Sequence, residues 1–255
     1  MCSCCEVETE GGTIRRMSSP ISRRSFLASV SAAWVAPRIS WSAESPKVPR
    51  LLDHILLGCN DLDRGIAWVE ERAGVRAKFG GVHPGAGTQN ALLSLGANRY
   101  LEIIAPDPSQ PEGLDTRDLK SLDDDPALVG WAAHPGDIAA FAARLQQQGL
   151  EIEGPMPGSR KRPDGRVLNW TVMRLKKDPG LLLPFFIEWG AGSIHPSLDS
   201  PQGCQLLRFE AVTNDVVGLS QQLKQLSLDL PVTQGKKMYL RATIDGPRGK
   251  FEVTS

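Results

Sequence analysis

The chain has 255 residues, 41% of them hydrophobic and 23% charged, with 29 basic residues balancing 29 acidic ones. A chain of this length buries about 70–75% of its unfolded surface without staples, and its composition excludes a disordered tail protein and a coiled coil. Zero net charge argues against nucleic acid as a partner, which asks for a basic excess or patch.

The N-terminus reads as an address. Ser22-Arg23-Arg24-Ser25-Phe26-Leu27 is a twin-arginine pattern, and a short apolar run from Phe26 to Ala36 follows it. About eleven residues at 1.5 Å rise fall short of a ~30 Å hydrocarbon core, so the run suits a signal h-region and not a membrane anchor. Residues 1–43 are therefore expected to be a twin-arginine signal peptide, with the twin-arginine translocase as a partner during export. The expected location is the periplasm or the exterior, with no stable membrane span after signal removal. Met17 offers a more compact start, which leaves residues 1–16, with Cys2, Cys4 and Cys5, open as an over-extended beginning. The remaining chain, 44–255, keeps only Cys59 and Cys204, which an oxidising compartment permits to pair without demanding it. Losing five arginines and three glutamates with the signal leaves that chain slightly acidic.

Three similar units follow. In the first, about 51–106, residues 51–58 form an apolar run of strand length. Asn60-Asp61 can cap a helix from Leu62, whose Ile66, Val69 and Ala73 fall on one face. A short strand is expected at 76–79 and two more at 89–95 and 99–105, joined by a Gly96-Ala97-Asn98 turn. The second unit, about 127–190, has a strand at 128–133, a helix through Ile138, Phe141 and Leu145, and strands at 166–174 and 183–189. The third, about 204–254, has a strand at 205–212, a helix through Val217, Leu219 and Leu223, and strands at 237–244 and 250–254. The first reads β-α-β-β-β and the unit recurs, an α+β arrangement repeated about every 75 residues.

The repeat locates chemistry. His54, Gly130 and Arg208 share one position of the first strand, and Glu102, Glu188 and Glu252 share one position of the last. A carboxylate inside an apolar run is costly to bury without a partner, so three acids at one repeat position imply a polar concave face.

Leu52-Asp53-His54-Ile55-Leu56-Leu57, Asn60-Asp61-Leu62 and Tyr100-Leu101-Glu102-Ile103-Ile104-Ala105-Pro106 resemble the vicinal-oxygen-chelate superfamily, the glyoxalase, bleomycin-resistance and extradiol dioxygenase group. Within it the chain resembles the glyoxalase-like domain family, through His83-Pro84-Gly85-Ala86-Gly87-Thr88-Gln89-Asn90, Ser159-Arg160-Lys161-Arg162-Pro163-Asp164-Gly165 and Pro184-Phe185-Phe186-Ile187-Glu188-Trp189. The resemblance implies tandem βαβββ modules forming a cupped mixed sheet with helices on its outer face, here in three copies. It also implies a divalent metal, Mn, Fe, Zn or Ni, held by His54, Glu102 and Glu188. The fourth ligand position falls on Gly130, which has no side chain, and His134 is an alternative donor. Glu188 and Glu102 become the catalytic candidates, as proton shuttles.

Bland readings stand beside these. His54 can be a hydrogen-bonded core histidine, and Glu102 and Glu188 can pair with Arg160 and Arg162. The His83–Asn90 loop either brings His83 and Asn90 over the cup or is glycine-dictated turn geometry. Arg160 and Arg162, with Trp170, either clamp an anionic group of a ligand or form a solvated charge run. His195 lies in a loop beyond Glu188 and completes the substrate-binding candidates. Arg208 and Glu252 look like an internal ion pair in a structural third module that covers an edge or closes the sheet. The expected function is an exported, metal-dependent lyase, isomerase or dioxygenase acting on a small oxygenated molecule, with no nucleotide cofactor. The alternative is a metal-free protein that binds or sequesters a small molecule in the same cup.

Overall fold

An apolar strand with a helix cap behind it opens each unit. In the computed structural model, which describes residues 47–122, 125–162, 164–177 and 180–255, Leu52–Gly58 forms β1. Asp61 then caps α1 (Leu62–Ala73) by accepting the Arg64 amide at 2.9 Å, and Gly74, at φ 77°, ends the helix in the left-handed conformation. β2 (Lys78–His83), β3 (Thr88–Ser94) and β4 (Tyr100–Pro106) complete the first unit, and α2 (Leu114–Lys120) leads out of it. The second holds β5 (Ala127–Ala133), α3 (Ile138–Gln147), β6 (Ile152–Lys161), β7 (Val167–Leu175) and β8 (Phe185–Trp189). After the short α4 (Pro196–Asp199) come β9 (Gln205–Thr213), α5 (Val216–Gln225), β10 (Val232–Gln234), β11 (Tyr239–Gly246) and β12 (Gly249–Thr254). The twin-arginine motif and the proposed signal lie outside the described residues.

The first two units share one eight-stranded sheet in the order β2-β3-β4-β1-β5-β8-β7-β6. Within each, the first strand runs parallel to the last, and antiparallel pairing of β1 with β5 joins them. The sheet curls strongly into a half-barrel. Its edges approach, so that a Cβ added to Gly81 of β2 would stand 3.2 Å from Cδ of Arg160 on β6. Strand alternation divides the residues. Ile55, Leu101, Ile103, Trp131 and Phe186 bury themselves in the apolar core; His54, Leu56, Glu102, Gly130 and Phe185 alternate with them and face the cup.

The third unit keeps the element order but pairs differently, as a separate sheet β10-β9-β11-β12. β9 lies against β11, so Arg208 and Glu252 flank Thr243 from opposite sides instead of facing each other. Arg208 approaches Glu210 at 3.6 Å and Glu252 accepts a hydrogen bond from Thr243, which replaces the expected Arg208–Glu252 pair. Nor does this unit cover an edge. It packs behind the large sheet, with Phe209 edge-on to Trp131 at 5.5 Å and Phe251 edge-on to Trp68 at 6.1 Å, within one continuous core. Cys59 and Cys204 are both buried and unpaired.

The small sheet has its own buried charge. Glu210, 1% exposed, accepts from Arg241 Nε at 2.8 Å and Thr233 Oγ1 at 2.9 Å, and lies 2.6 Å from Arg241 Nη2. Removing one partner of such a pair leaves the other charge uncompensated. Glu210→Ala is expected to lower unfolding free energy in urea by about 3–5 kcal/mol, with Glu252→Ala, on the exposed side, changing it by less than about 0.5 kcal/mol.

Candidate functional site

The site begins at an irregularity in β1. The register against β5 shifts between Leu52 and His54, and such a bulge re-aims side chains that a regular strand would send to opposite faces. Asp53 and His54, 2% and 1% exposed, thereby come together, with Oδ1 of Asp53 2.7 Å from Nδ1 of His54. Asp53 also accepts from Trp189 Nε1 at 3.1 Å and faces His195 Nε2 at 3.2 Å. Burial alone would raise its pKa; the bonds from the two histidines outweigh that and hold it well below the usual carboxylate range. An ionised Asp53 only accepts, so His54 donates through Nδ1 and presents Nε2 to the cup. The ring is fixed further by stacking on Tyr100, centroids 4.5 Å apart, and by the edge of Phe185.

Nε2 of His54 lies 3.4 Å from Oε2 of Glu102. Glu102 Oε1 accepts from Asn90 Nδ2 at 2.6 Å and lies 3.6 Å from His83 Nε2. Asn90 in turn accepts from Arg160 Nη1 at 2.5 Å through Oδ1, which fixes its amide orientation. Burial works to raise the Glu102 pKa, but His54, His83, the Asn90 bond and Arg160 together lower it, so this buried acid is a carboxylate. His83 shows the opposite balance: burial, the largest influence, and the Arg160 and His54 charges lower its pKa despite Glu102. Two donors, Asn90 Nδ2 at 3.3 Å and Arg160 Nη1 at 3.5 Å, face its Nε2, while Nδ1 meets Thr88 Oγ1 at 2.8 Å. The lowered pKa favours the neutral imidazole, whose Nε2 lone pair faces the N–H donors of Asn90 and Arg160. β3 and β2 supply Asn90 and His83 through the hairpin that the glycine-rich segment closes, and β6 carries Arg160 across the curl to meet them.

The structure brings together His54, His83, Asn90, Glu102 and Arg160, and adds Asp53 and Trp189, to which sequence reasoning gave no site role. The acid beside His54 inside an apolar run was the available signal. His195 joins from the rim through Asp53, with its Nδ1 2.7 Å from Ser197 Oγ. Trp170 stands over Gly158 and edge-on to Trp189 at 6.0 Å. Arg162 is buried but turns elsewhere, donating to Asp199 at 2.6 Å.

Glu188 does not join the cluster. It accepts the Ile138 amide at 2.9 Å, at the N-terminus of α3, where a carboxylate meets the positive end of the helix. Phe186, two residues earlier, packs on Phe141 of α3 at 4.6 Å, so alternation assigns Glu188 to the helix side. The alternative donor His134 lies beyond the end of β5 and bonds the Ile187 carbonyl at 2.9 Å. In register, Glu102 sits beside Leu56, two residues after His54, and Phe185 sits beside Ala132, two residues after Gly130. The second unit therefore offers glycine and phenylalanine where the first offers histidine and glutamate.

That donor set does not fit a divalent ion held between the two units. Among the described residues no group of three or more His, Cys, Asp or Glu side chains is arranged to hold a metal. Instead, the guanidinium of Arg160 reaches the first unit's donors from the opposite side. It brings a fixed positive charge within 3.5 Å of His83 Nε2, and a dication there would meet its repulsion.

Beside the cluster lies a cavity of about 320 Å³, lined by Leu56, Ile104, Gly130, Leu183, Phe185 and others, with Arg174 and Asp118 among its polar residues. Three of its walls adjoin the cluster: Leu56 pairs with Glu102, Ile104 with Asn90, and Phe185 meets the edge of His54.

The glyoxalase-like domain family matches residues 52–227. A hypothetical protein from Staphylococcus aureus has a similar structure, with a TM-score of 0.60 at 16% identity over 73% of this chain and 87% of that one. The methylmalonyl-CoA epimerase from Mycobacterium tuberculosis gives 0.41 at 21% identity, over 57% and 90%. A variant of the Streptomyces coelicolor methylmalonyl-CoA epimerase, in complex with 2-nitronate-propionyl-CoA, gives 0.43 at 20%, over 56% and 96%. A comparison with curated proteins finds no match.

Asp53 is expected to govern the His54 tautomer. In the wild type, ¹⁵N spectra of His54 should show Nδ1 protonated; Asp53→Asn should produce tautomer mixing. Asp53→Ala, which strands the buried His54 donor and the part-buried Trp189 and His195 donors, should cost about 3–5 kcal/mol in thermal or urea unfolding.

Proposed function

Because this chain belongs to the glyoxalase-like domain family, we propose that its cup performs metal-free proton transfer next to a carbonyl of a small oxygenated molecule. The observation that supports this is one largely buried constellation: His83 with its Nε2 turned into the cup, and, around that nitrogen, the Glu102 carboxylate at 3.6 Å and the Arg160 cation at 3.5 Å.

His83 Nε2 takes a proton from the carbon beside the carbonyl. The C–H electron pair forms the new C=C bond, and the carbonyl π pair moves onto oxygen. Glu102 stabilises the imidazolium that forms, and Arg160 lies where it can meet the developing oxyanion. Returning the proton to carbon from either face, or expelling a neighbouring group, gives isomerase or lyase outcomes from the same intermediate. His54, oriented by Asp53, stands beside Glu102 with Nε2 3.4 Å from Oε2.

A second reading, binding or sequestration without turnover, is favoured by the nearly complete burial of His54, Asn90 and Arg160. The two differ in one measurement. Small 2-oxo acids in D₂O should exchange their α-protons faster with the full chain than in buffer, and His83→Gln should reduce the enhancement by about 100-fold or more. Binding with no faster exchange would leave only sequestration.

The His83 balance also fixes a pH dependence. Its folded pKa lies below the ordinary 6.5, so the unfolded chain binds the proton more readily and stability falls as pH drops below about 6.5. His83→Gln is expected to flatten that upper part of the acid limb of Tm against pH. The loss at lower pH, where Asp53 and Glu102 become protonated, should remain.

Export belongs to the same proposal. No described helix is long and apolar enough to cross a membrane, and the twin-arginine motif supports delivery to the periplasm or exterior. Replacing Arg23 and Arg24 together by lysine should retain the protein inside the cell; unchanged export would contradict the assignment.

A further inference from the structure

Arg160 is 5% exposed, yet its Nε is buried with no hydrogen-bond partner. Its hydrogen bonds to protein run from Nη1, to Asn90 Oδ1 at 2.5 Å and, long, to His83 Nε2 at 3.5 Å. A guanidinium has five N–H donors in a planar fork suited to two oxygens at once, and burying it without a bonded carboxylate is costly. Glu102 accepts its hydrogen bond from Asn90 and shares its charge with two histidines as well. The fork is therefore under-used in a place where unused donors are expensive.

The second observation is the cavity. Its floor is Gly130, the position where the first unit carries His54, and a Cβ built there meets nothing within 4 Å. Its apolar walls, Leu56, Ile104 and Phe185, are the neighbours of Glu102, Asn90 and His54. A volume of about 320 Å³ lies at the lower end for small-molecule sites. The side chains that a two-unit metal site would need are missing, and what replaces them is a cation on one side and an apolar hollow on the other.

We infer that the cup takes a 2-oxo carboxylic acid with an apolar side chain, its carboxylate or oxo oxygens on the Arg160 fork and its apolar body in the hollow above Gly130. This rests on the proton-transfer reading for its place but not for its test. An acid of this class has the acidic C–H that His83 would take, an anionic end for Arg160, and a body that a charge-filled metal site would not accommodate. Arg160 supplies the charge and the cavity supplies the discrimination by size.

The probe is phenylpyruvate, titrated calorimetrically into the full chain after EDTA treatment, with pyruvate as the headgroup alone. Saturable one-to-one binding without metal is expected. Arg160→Met should weaken it about tenfold or more, and Arg160→Lys should weaken it less, since it keeps the charge and loses the fork. Leu56→Trp, which fills the hollow, should abolish phenylpyruvate binding and leave pyruvate binding within about twofold. If Arg160→Met does not fold by circular dichroism, Leu56→Trp decides alone. Absent binding, binding that needs added Mn²⁺ or Zn²⁺, full affinity in Arg160→Met, or full phenylpyruvate affinity in Leu56→Trp each overturns the inference. Arg160-dependent binding with no accelerated α-proton exchange would defeat the proton-transfer proposal and leave this one standing. Accelerated exchange that ignores Arg160 would overturn this inference and remove Arg160 from the proton-transfer step, leaving His83 and Glu102 to be tested there alone.

Discussion

Everything in the cup depends on how two buried carboxylates are kept ionised. Asp53 and Glu102 both lose the solvation that makes a charged acid cheap, and each regains it from a different set of partners. Asp53 takes three donors from β1, β8 and the loop before α4. Glu102 takes an amide and three positive or polarizable neighbours drawn from both ends of the sheet. The large sheet must curl for this to happen, because Arg160 lies on the strand at one edge and His83 on the strand at the other. The polar cluster and the closure of the half-barrel are one fact seen twice: without the curl Arg160 reaches no acceptor, and without Arg160 the two edges bring polar groups together uncompensated.

The two units that build the cup are equal in backbone and unequal in chemistry. Both lay the first strand against the last in parallel, yet one places His54 and Glu102 at the seam and the other Gly130 and Phe185. That asymmetry turns a position suited to a shared ion into a charged wall facing an apolar one. The third unit takes no part in the cup. Its Glu210–Arg241 pair is internal to its own sheet, and its Phe209 and Phe251 complete the core behind the large sheet.

Much of this was legible in the sequence. An apolar run followed by Asp61 and an amphipathic stretch marked the first strand–helix unit, and Asp137 and Asp215 stand at the same place before α3 and α5, where their side chains cap the helices. β6 was not legible: Gly154-Pro155-Met156-Pro157-Gly158 breaks the alternation that identifies a strand, and only pairing with β7 reveals it. In the site, His54, Glu102, Asn90, His83 and Arg160 could be named from position, but Glu188 could not be placed. Its face depends on a one-residue parity in β8, and Phe186, an apolar residue that must meet α3, was the signal that sets it. Asp53 escaped because a regular strand would point it away from His54, and the bulge that reverses this has no sequence mark of its own. The third unit's pairing was illegible for a similar reason, since element order constrains topology without fixing which strands bond.

The central claim is that Arg160, and not a divalent ion, supplies the positive charge of this cup. The most direct test is the metal content of protein recovered from its native export route and then equilibrated with Mn²⁺, Fe²⁺, Zn²⁺ and Ni²⁺ in turn, measured by mass spectrometry after gel filtration. Well under one ion per chain in every case, unchanged by His54→Ala, is the predicted result. One ion per chain that disappears in both His54→Ala and Glu102→Ala would contradict the account.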